Sequence, residues 1–255
     1  MSFKGKVVIV TGSSSGIGAA IAIQFAKEGA NVTIVGRNEV KLNKVAEQCE
    51  SFGAKCVKII ADVASDDAAK RIVTETVEKL GQLDILVNNA GIAKTAFLLD
   101  ENAVETFDLV MNTNFRSAVV ITHHAAPHII QTKGNIINIS SIGGLQATAT
   151  ANFMPYCVSK AAMNHFTKFT AKELAPHGVR VNVVNPGPVK TDIAENAGYV
   201  PQAQDYFWQK MKEGTALKRV SDPEEIADLV LFLASDKAKA VTGSSYVSDN
   251  GMMIV

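Results

Sequence analysis

The chain has 255 residues, of which 47% are hydrophobic, and its 25 basic and 25 acidic residues give a formal net charge of zero at pH 7. This balance argues against a nucleic-acid-binding or membrane-surface protein, and the length fits a single domain spanning residues 1–255. Cys49, Cys56 and Cys157 are too few and too scattered for a disulfide framework or a metal cluster. No apolar run approaches transmembrane length, so we expect a cytoplasmic protein with reduced thiols.

The first predicted unit is a strand, a Gly-rich turn and a helix. Residues 6–10 form a β-branched run typical of a strand buried on both faces. The turn T-G-S-S-S-G-I-G follows at 11–18, and a helical pattern then runs over 19–28. Glycines let a pyrophosphate approach backbone N–H groups closely, so this unit predicts a dinucleotide site. The spacing is G-x-x-x-G-x-G, which differs from the better-known G-x-G-x-x-G.

The end of the second predicted strand, residues 31–35, bears on the choice of dinucleotide. An acidic residue that binds both ribose hydroxyls of NAD is expected there, but Gly36 occupies the place and Arg37 follows. The missing carboxylate removes repulsion of a 2′-phosphate, and Arg37 supplies a bidentate partner. We therefore expect NADP(H) to be favoured over NAD(H). A second basic residue at Ser15 would strengthen this prediction.

Strands and helices alternate over the rest of the chain. Further strands are predicted at 55–61, 85–87, 135–139, 180–184 and 244–247, and helices at 39–52, 65–80, 101–132, from Tyr156 to before Gly178, and 222–234. The pattern predicts an α/β fold, a Rossmann-type doubly wound seven-stranded parallel sheet flanked by helices on both faces. Pro127 is expected to bend or interrupt the long fourth helix. His123, His124 and His128 lack partners at ligand spacing, so no metal site is expected.

The segment at about 190–213 changes character after the sixth strand. It mixes Tyr199, Tyr206, Phe207, Trp208 and Met211 with polar residues. A stretch of this length beyond a strand end predicts a helical lid over a substrate pocket. Packing of these aromatic side chains within the segment is an equally open interpretation.

Tyr156 and Lys160 lie four residues apart in a predicted helix, and so on one face. An ammonium beside a phenol favours the phenolate, so we expect Lys160 to lower the pKa of Tyr156 and to make it a proton donor and acceptor. Taken alone, the pair also fits a surface tyrosine beside a lysine. Ser141 follows the strand at 135–139, at the end of a parallel strand where ligands bind.

Together these motifs resemble the short-chain dehydrogenase/reductase family, in its single-domain branch. The resemblance covers nearly the whole chain and rests on Thr11-Gly12-x-x-x-Gly16-Ile17-Gly18, Asp62-Val63, Asn88-Asn89-Ala90-Gly91, Ser141, Tyr156-x-x-x-Lys160 and Asn185-Pro186-Gly187, in family order. It implies an oxidoreductase that moves a hydride between a nicotinamide and a carbonyl or secondary alcohol. It also implies a homo-oligomer, either a dimer or a tetramer.

The resemblance assigns roles to matching positions. Asn114 would anchor a water for proton transfer, Ser141 would hydrogen-bond the substrate oxygen, Tyr156 would exchange the proton, and Lys160 would hold the nicotinamide ribose. Asn88 would line the adenosine side. The implied dinucleotide-binding set is Gly12, Ser14, Ser15, Gly16, Ile17, Gly18, Arg37, Asn38, Asp62, Val63, Asn89, Ala90, Gly91, Tyr156, Lys160, Pro186, Gly187, Val189 and Thr191.

Two departures from the family pattern bear on the substrate. The separation of Ser141 and Tyr156 is slightly longer than in many relatives, which puts extra residues into a loop at 146–154. The tail reads Ser248-Asp249-Asn250-Gly251, where relatives often have Asp-Gly-Gly. From the aromatic lid we expect a bulky apolar substrate, such as a steroid or a prenyl or lipid ketone.

Two alternatives stay open. One is a 3-oxoacyl-carrier-protein reductase, for which Lys190, Lys210 and Lys212 could dock an acidic carrier. The other is a non-catalytic, cofactor-binding scaffold, although such a protein would not need Asn114, Ser141, Tyr156 and Lys160 together.

Overall fold

The fold is taken from a computed structural model that describes residues 1–148, 150–193 and 201–255, except for the side chains of residues 201–204. Within these residues, seven parallel strands form one sheet in the order β3-β2-β1-β4-β5-β6-β7. The strands are β1 (Val7–Thr11), β2 (Asn31–Gly36), β3 (Cys56–Ile60), β4 (Ile85–Asn88), β5 (Asn135–Ile139), β6 (Arg180–Pro186) and β7 (Ser245–Ser248). The predicted doubly wound sheet is confirmed.

Helices cover both faces of the sheet. They are α1 (Gly16–Lys27), α2 (Glu39–Ser51), α3 (Asp66–Leu80), α4 (Ala103–Met111), α5 (Ser117–Thr132), α6 (Met154–Leu174), α7 (Pro201–Glu213) and α8 (Pro223–Ala234). One hydrophobic core lies beneath α1, α2 and α8, and a second lies beneath α3, α5 and α6. None of the described helices combines the length and apolar character that a bilayer crossing requires.

The strands divide their side chains between these two cores. In β1, Val8 and Val10 enter the core under α1, whereas Ile9 enters the core under α3. All three are fully buried, as the unbroken β-branched run predicts for a central parallel strand. Burying each such side chain contributes about 1.5–3 kcal/mol.

Helix termini follow their sequence signals. Ser65 caps α3 by accepting a hydrogen bond from the Ala68 N–H at 3.4 Å, and Gly81 ends that helix in the left-handed region at φ 86°. Asp222 and Glu225 form a reciprocal capping box at the start of α8. These caps set where α3 begins and ends and where α8 begins.

The predicted long fourth helix is not interrupted at Pro127. Helix α5 continues through Pro127, and the irregular turn is instead a π-helical segment, Asn112–Arg116, which joins α4 to α5. Pro127 cannot donate to the His123 carbonyl, but His123 is exposed, so water can satisfy that oxygen. A π-helical turn inside an α-helix is frequently found at a functional site.

The sheet order also locates the site. The chain moves outward from β1 in one direction through β2 and β3, and in the other through β4 and the later strands. Ligands of open parallel sheets bind beyond the carboxyl ends of the strands, at the point where the order reverses. The turns after β1 and β4 meet at this point.

Candidate active site

The turn between β1 and α1 is packed too closely for side chains. A Cβ on Gly18 would lie 2.3 Å from the Gly12 carbonyl oxygen and 2.4 Å from Asn89 Nδ2, and Gly12 itself has φ +65°. Asn89 Nδ2 donates to the carbonyl oxygens of Thr11, at 2.9 Å, and Gly12, at 3.1 Å. The side chain of Asn89 therefore ties the Gly-rich turn to the end of β4.

The N-terminus of α1 opens onto a cavity. Helix α1 begins at Gly16, and its first turn carries no acidic residue. Gly16, Ile17 and Gly18 line the cavity, so the first N–H groups of the helix, which have no intrahelical acceptor, can bind an anion. This cradle fits a pyrophosphate, because glycines leave room for its approach.

The cavity has a volume of about 1100 Å³ and runs along the carboxyl edge of the sheet. Every residue of the dinucleotide-binding set lines it: Gly12, Ser14, Ser15, Gly16, Ile17, Gly18, Arg37, Asn38, Asp62, Val63, Asn89, Ala90, Gly91, Tyr156, Lys160, Pro186, Gly187, Val189 and Thr191. The structure thus brings together residues that the sequence places far apart. Of the described residues, none form a cluster of three or more His, Cys, Asp or Glu side chains suited to a metal.

One end of the cavity is formed by β2 and the residues after it. A Cβ on Gly36 would lie 3.2 Å from Ser14 Cβ, so a longer side chain there would press on the Gly-rich turn. Arg37 is exposed, with Nη1 3.9 Å from Asp62 Oδ2. Asn38 accepts a hydrogen bond from the Lys41 N–H at 3.0 Å and thereby caps α2. The side chain of Asn38 serves the helix, and Arg37 offers its guanidinium to the cavity.

At the other end, Ser141 follows β5 and Tyr156 lies in the first turn of α6. Their hydroxyl groups lie close enough to interact, and Ser141 Oγ accepts the Gly143 N–H at 3.1 Å. Lys160 is 3% exposed, lies with Nζ 5.6 Å from the centre of the Tyr156 ring, and donates to the Ile139 carbonyl at 2.9 Å. Burial lowers the pKa of Lys160 to about 8.

The expectation that Lys160 lowers the pKa of Tyr156 is wrong for this structure. Burial raises the pKa of Tyr156 to about 12, and the hydroxyl of Ser141 offsets only part of that effect. Desolvation is the largest effect on the phenol, and the Lys160 ammonium is directed instead at the Ile139 carbonyl. Tyr156 is therefore fully protonated at neutral pH, as a proton donor must be.

Asn114 lies one layer behind the cavity wall. It is 1% exposed and sits in the π-helical segment, where Oδ1 accepts the Ile92 N–H at 2.8 Å and Nδ2 donates to the Ile92 carbonyl at 2.9 Å. Nδ2 also lies 3.1 Å from Ser159 Oγ, which donates to the Tyr156 carbonyl at 2.7 Å. Asn114 thus links the cavity wall to the helix that carries Tyr156, and its role toward a water stays a prediction.

Two further serines support this site. Ser159 connects Asn114 to α6, and its role was missed from the sequence. Ser140, the less favoured alternative to Ser141 for the substrate oxygen, is buried, and its Oγ donates to the Lys160 carbonyl at 2.8 Å. Ser159 could have been noticed as the residue preceding Lys160, but nothing in its type marked a function.

The prediction that Asn88 lines the adenosine side is wrong. Asn88 is 3% exposed, and its Nδ2 donates to Thr122 Oγ1 at 3.1 Å and to Asn138 Oδ1 at 2.9 Å. Successive side chains of a strand point to opposite faces, so only one of two adjacent asparagines can face the Gly-rich turn. Asn89 takes that position.

The segment after β6 forms the wall nearest Tyr156. The Gly187 N–H donates to the Ser248 carbonyl at 2.9 Å, and a Cβ on Gly187 would lie 2.6 Å from Asp249 Cα. The altered tail is thereby packed against this wall, and Met252 reaches the cavity. Further along, Asp192 pairs with Lys41 across the cavity, with Nζ 2.6 Å from Oδ2. No motif or spacing in the sequence indicates this pair.

The wall beyond Ser141 and Tyr156 is mostly apolar. It includes Phe153, Phe207, Trp208 and Met211, and the longer loop contributes Gln146, Ala147, Thr148 and Thr150. Phe207 and Trp208 also pack edge to face on each other, with ring centres 4.9 Å apart. The packing interpretation therefore holds for this pair, and substrate contact stays a prediction, whereas Tyr199 lies outside the described residues. A lid over 190–213 stays a prediction.

Comparison with known proteins gives consistent matches over the whole chain. Residues 12–253 match a family model described as enoyl-(acyl carrier protein) reductase. A 3-oxoacyl-[acyl-carrier-protein] reductase of Thermotoga maritima is 36% identical over 260 residues, covering 100% of each chain.

Solved structures agree in fold. A cofactor-containing short-chain dehydrogenase/reductase of unknown function from Caenorhabditis elegans has a TM-score of 0.94 at 35% identity, covering 99% of this chain and 97% of that one. L-Sorbose reductase from Gluconobacter frateurii, complexed with NADPH and L-sorbose, has a TM-score of 0.90 at 33% identity, covering 100% and 99%.

Proposed function

Because this chain belongs to the short-chain dehydrogenase/reductase family and is an NAD(P)-dependent oxidoreductase, we propose that it uses NADP(H) and acts on a bulky apolar carbonyl or secondary alcohol. A steroid or a prenyl or lipid ketone is the substrate class. The observation that carries this proposal is the placement of the Ser141 and Tyr156 hydroxyls in one cavity, between a phosphate cradle and an apolar wall.

The preference for NADP(H) is supported by the end of β2. Gly36 leaves no carboxylate to repel a 2′-phosphate, and Ser14 crowds the space that such a side chain would need. The guanidinium of Arg37 is exposed at the cavity, and its neighbour Asp62 lies at 3.9 Å, too far for a tight ion pair. Arg37 can therefore turn to a phosphate and bind it in bidentate fashion.

The catalytic step depends on the hydroxyl groups of Ser141 and Tyr156 and on the charge of Lys160. A bound nicotinamide supplies the hydride, or accepts it in the reverse direction. The hydroxyls of Ser141 and Tyr156 donate hydrogen bonds to the substrate oxygen as negative charge builds there. Tyr156, with a pKa of about 12, holds its proton until that oxygen becomes a stronger base and then transfers it. Lys160, whose pKa is about 8, stays mainly protonated at neutral pH and stabilises the phenolate that remains.

The apolar wall supports a bulky substrate. Phe153, Trp208 and Met211 offer large contact areas without charge. Gln146 and Thr148 on the opposite loop supply a few polar groups, which would orient a substrate that is apolar over most of its length.

A second candidate is a 3-oxoacyl-carrier-protein reductase, favoured by the full-length relative from Thermotoga maritima. Its acidic carrier would need free basic residues near the cavity mouth. Lys190 pairs with Asp222 at 3.1 Å and Lys210 with Glu213 at 3.5 Å. Lys212 has no ion pair among the described residues, so one of the three lysines remains available to an acidic carrier. We favour the apolar substrate because of the apolar wall. The dimer or tetramer and the cytoplasmic location remain predictions.

The proposal is tested with steroid, prenyl and acyl-thioester carbonyls, each assayed with NADPH and NADH. Tyr156→Phe, which removes one hydroxyl, should lower kcat about 100-fold or more, the usual contribution of acid–base catalysis. Tyr246→Phe, a matched loss of a hydroxyl in β7, should leave turnover within twofold. Near-normal turnover by Tyr156→Phe would refute its role, and turnover of acyl thioesters alone would establish the carrier-protein candidate.

A further inference from the structure

The ion pair between Lys41 and Asp192 joins the two halves of the cavity. Lys41 lies in the first turn of α2, beside Arg37, and Asp192 follows β6, beside the residues assigned to the nicotinamide. Lys41 Nζ lies 2.6 Å from Asp192 Oδ2, and the hydroxyl of Ser15 also helps to lower the pKa of the Asp192 carboxylate. These interactions hold the pKa of Asp192 below its usual range, so the pair is charged at neutral pH.

Asp192 belongs to a short segment, residues 188–193, which we call the strap. Its first half is held by backbone hydrogen bonds, from the Lys190 N–H to the Ser221 carbonyl at 2.9 Å and from the Ser221 N–H to the Pro188 carbonyl at 3.0 Å. Its second half lies over the Gly-rich turn, where a Cβ on Gly16 would be 2.8 Å from Thr191 Cγ2. The Lys41–Asp192 pair adds an ionic attachment at this second half.

We propose that Lys41 and Asp192 are a positioning pair, which holds the strap across the Gly-rich turn and thereby slows release of a bound dinucleotide. A dinucleotide that runs from Arg37 to Tyr156 along the lined cavity passes beneath this attachment. The pair must open, or the strap must lift, before the ligand can leave. The inference rests on the dinucleotide-binding part of the proposed function and is independent of the substrate.

The pair also has an electrostatic consequence for the site. Asp192 places a carboxylate beside a cradle suited to phosphates, and Lys41 neutralises it. Without Lys41, the unpaired carboxylate would repel the pyrophosphate; without Asp192, the strap would lose its attachment. Both single changes should therefore speed dinucleotide release. The side chains are 46% and 35% exposed, and for a pair so accessible to solvent we expect only a two- to fivefold effect.

The test measures release of NADPH and of NADH from the full chain by the change in nicotinamide fluorescence when excess NADP⁺ or NAD⁺ displaces it. The variants are Lys41→Met, Asp192→Asn and the double substitution, with Lys41→Arg as the conservative replacement and Lys44→Met as a control on the exposed face of the same helix. Each variant is also checked for an unchanged Tm, because an exposed pair contributes little to folding.

The proposal predicts that both single variants and the double variant speed release two- to fivefold for NADPH and NADH alike. Lys41→Met should have the largest effect, because it also leaves the Asp192 carboxylate unpaired, and the double variant should be no faster than Lys41→Met. Lys41→Arg should keep the wild-type rate, Lys44→Met should not change it, and high salt should bring wild type toward the variants. Additive effects in the double variant would overturn the proposal, as would an effect of Lys41→Met on NADPH alone, which would mean direct contact with the 2′-phosphate. If the wild type binds neither dinucleotide, the proposed function fails as well. If it binds them but the variants release them at the wild-type rate, only the role of the Lys41–Asp192 pair fails.

Discussion

The substitution Gly18→Ala tests the close packing of the Gly-rich turn. Helix propensity predicts that it stabilises the protein, whereas the structure predicts that it destabilises it. Replacing glycine with alanine inside a helix stabilises it by about 0.5–1 kcal/mol. In this structure the new Cβ would lie 2.3 Å from the Gly12 carbonyl oxygen and 2.4 Å from Asn89 Nδ2. No real Cβ tolerates such distances, so either the turn opens or Asn89 moves.

The cost of Gly18→Ala follows from these contacts. Overpacking typically costs about 1–3 kcal/mol. Displacement of Asn89 weakens its bonds to the Thr11 and Gly12 carbonyls, at roughly 1 kcal/mol each. After subtraction of the propensity gain, we expect a loss of about 2–4.5 kcal/mol in the free energy of unfolding.

Urea unfolding and titration with NADPH measure both consequences of Gly18→Ala. The variant should unfold at lower urea and bind NADPH more weakly, because the shifted turn no longer presents the first N–H groups of α1 correctly. Lys27→Ala, at an exposed position in the last turn of the same helix, should change stability by no more than about 0.5 kcal/mol. If Gly18→Ala equals or exceeds the wild type in stability and binds NADPH normally, the described packing of the turn is incorrect.

Two further predictions concern charge. Arg37→Ala should weaken NADPH binding about 10-fold or more, as expected for loss of a charge-assisted bond, and leave NADH within twofold when both are measured by isothermal titration calorimetry; an equal loss for both would refute the 2′-phosphate role. The pKa of Lys160 falls from 10.5 in the unfolded chain to about 8 in the folded one, so the unfolded state binds more protons between these values and stability should rise with pH across this window. The free energy of unfolding, measured in urea from pH 7 to 10, should show that rise in the wild type but not in Lys160→Met. If stability changes with pH in the same way in both proteins, the lowered pKa of a buried Lys160 is refuted.

Much of the framework could be predicted because its signals are local. The strand–turn–helix unit at the start of the chain depends on neighbouring residues, as do the caps at Ser65 and Asp222. Tyr156 and Lys160 are one helical turn apart wherever the helix lies. These features need no knowledge of the tertiary fold.

Other features arise only from packing between distant segments. Lys41 and Asp192 are 151 residues apart, and no spacing rule links them. The direction of the pKa shift of Tyr156 depends on how much water the surrounding walls remove, which a motif does not reveal. Asn88 and Asn89 looked equivalent in sequence, and only the direction of each side chain from the sheet separated them.

Because of the π-helical segment Asn112–Arg116, the number of residues between β4 and β5 matters to the fold as much as their identity. A wide turn holds one residue more than an α-helical turn, and each α-helical residue advances the helix by about 100°. Deleting one residue there would let α4 and α5 merge into one regular helix. The rotation needed to absorb the deletion would pull Asn114 away from Ile92 or turn the buried face of α5 away from the sheet. Substitutions in this helix can therefore be tolerated where a single-residue deletion cannot.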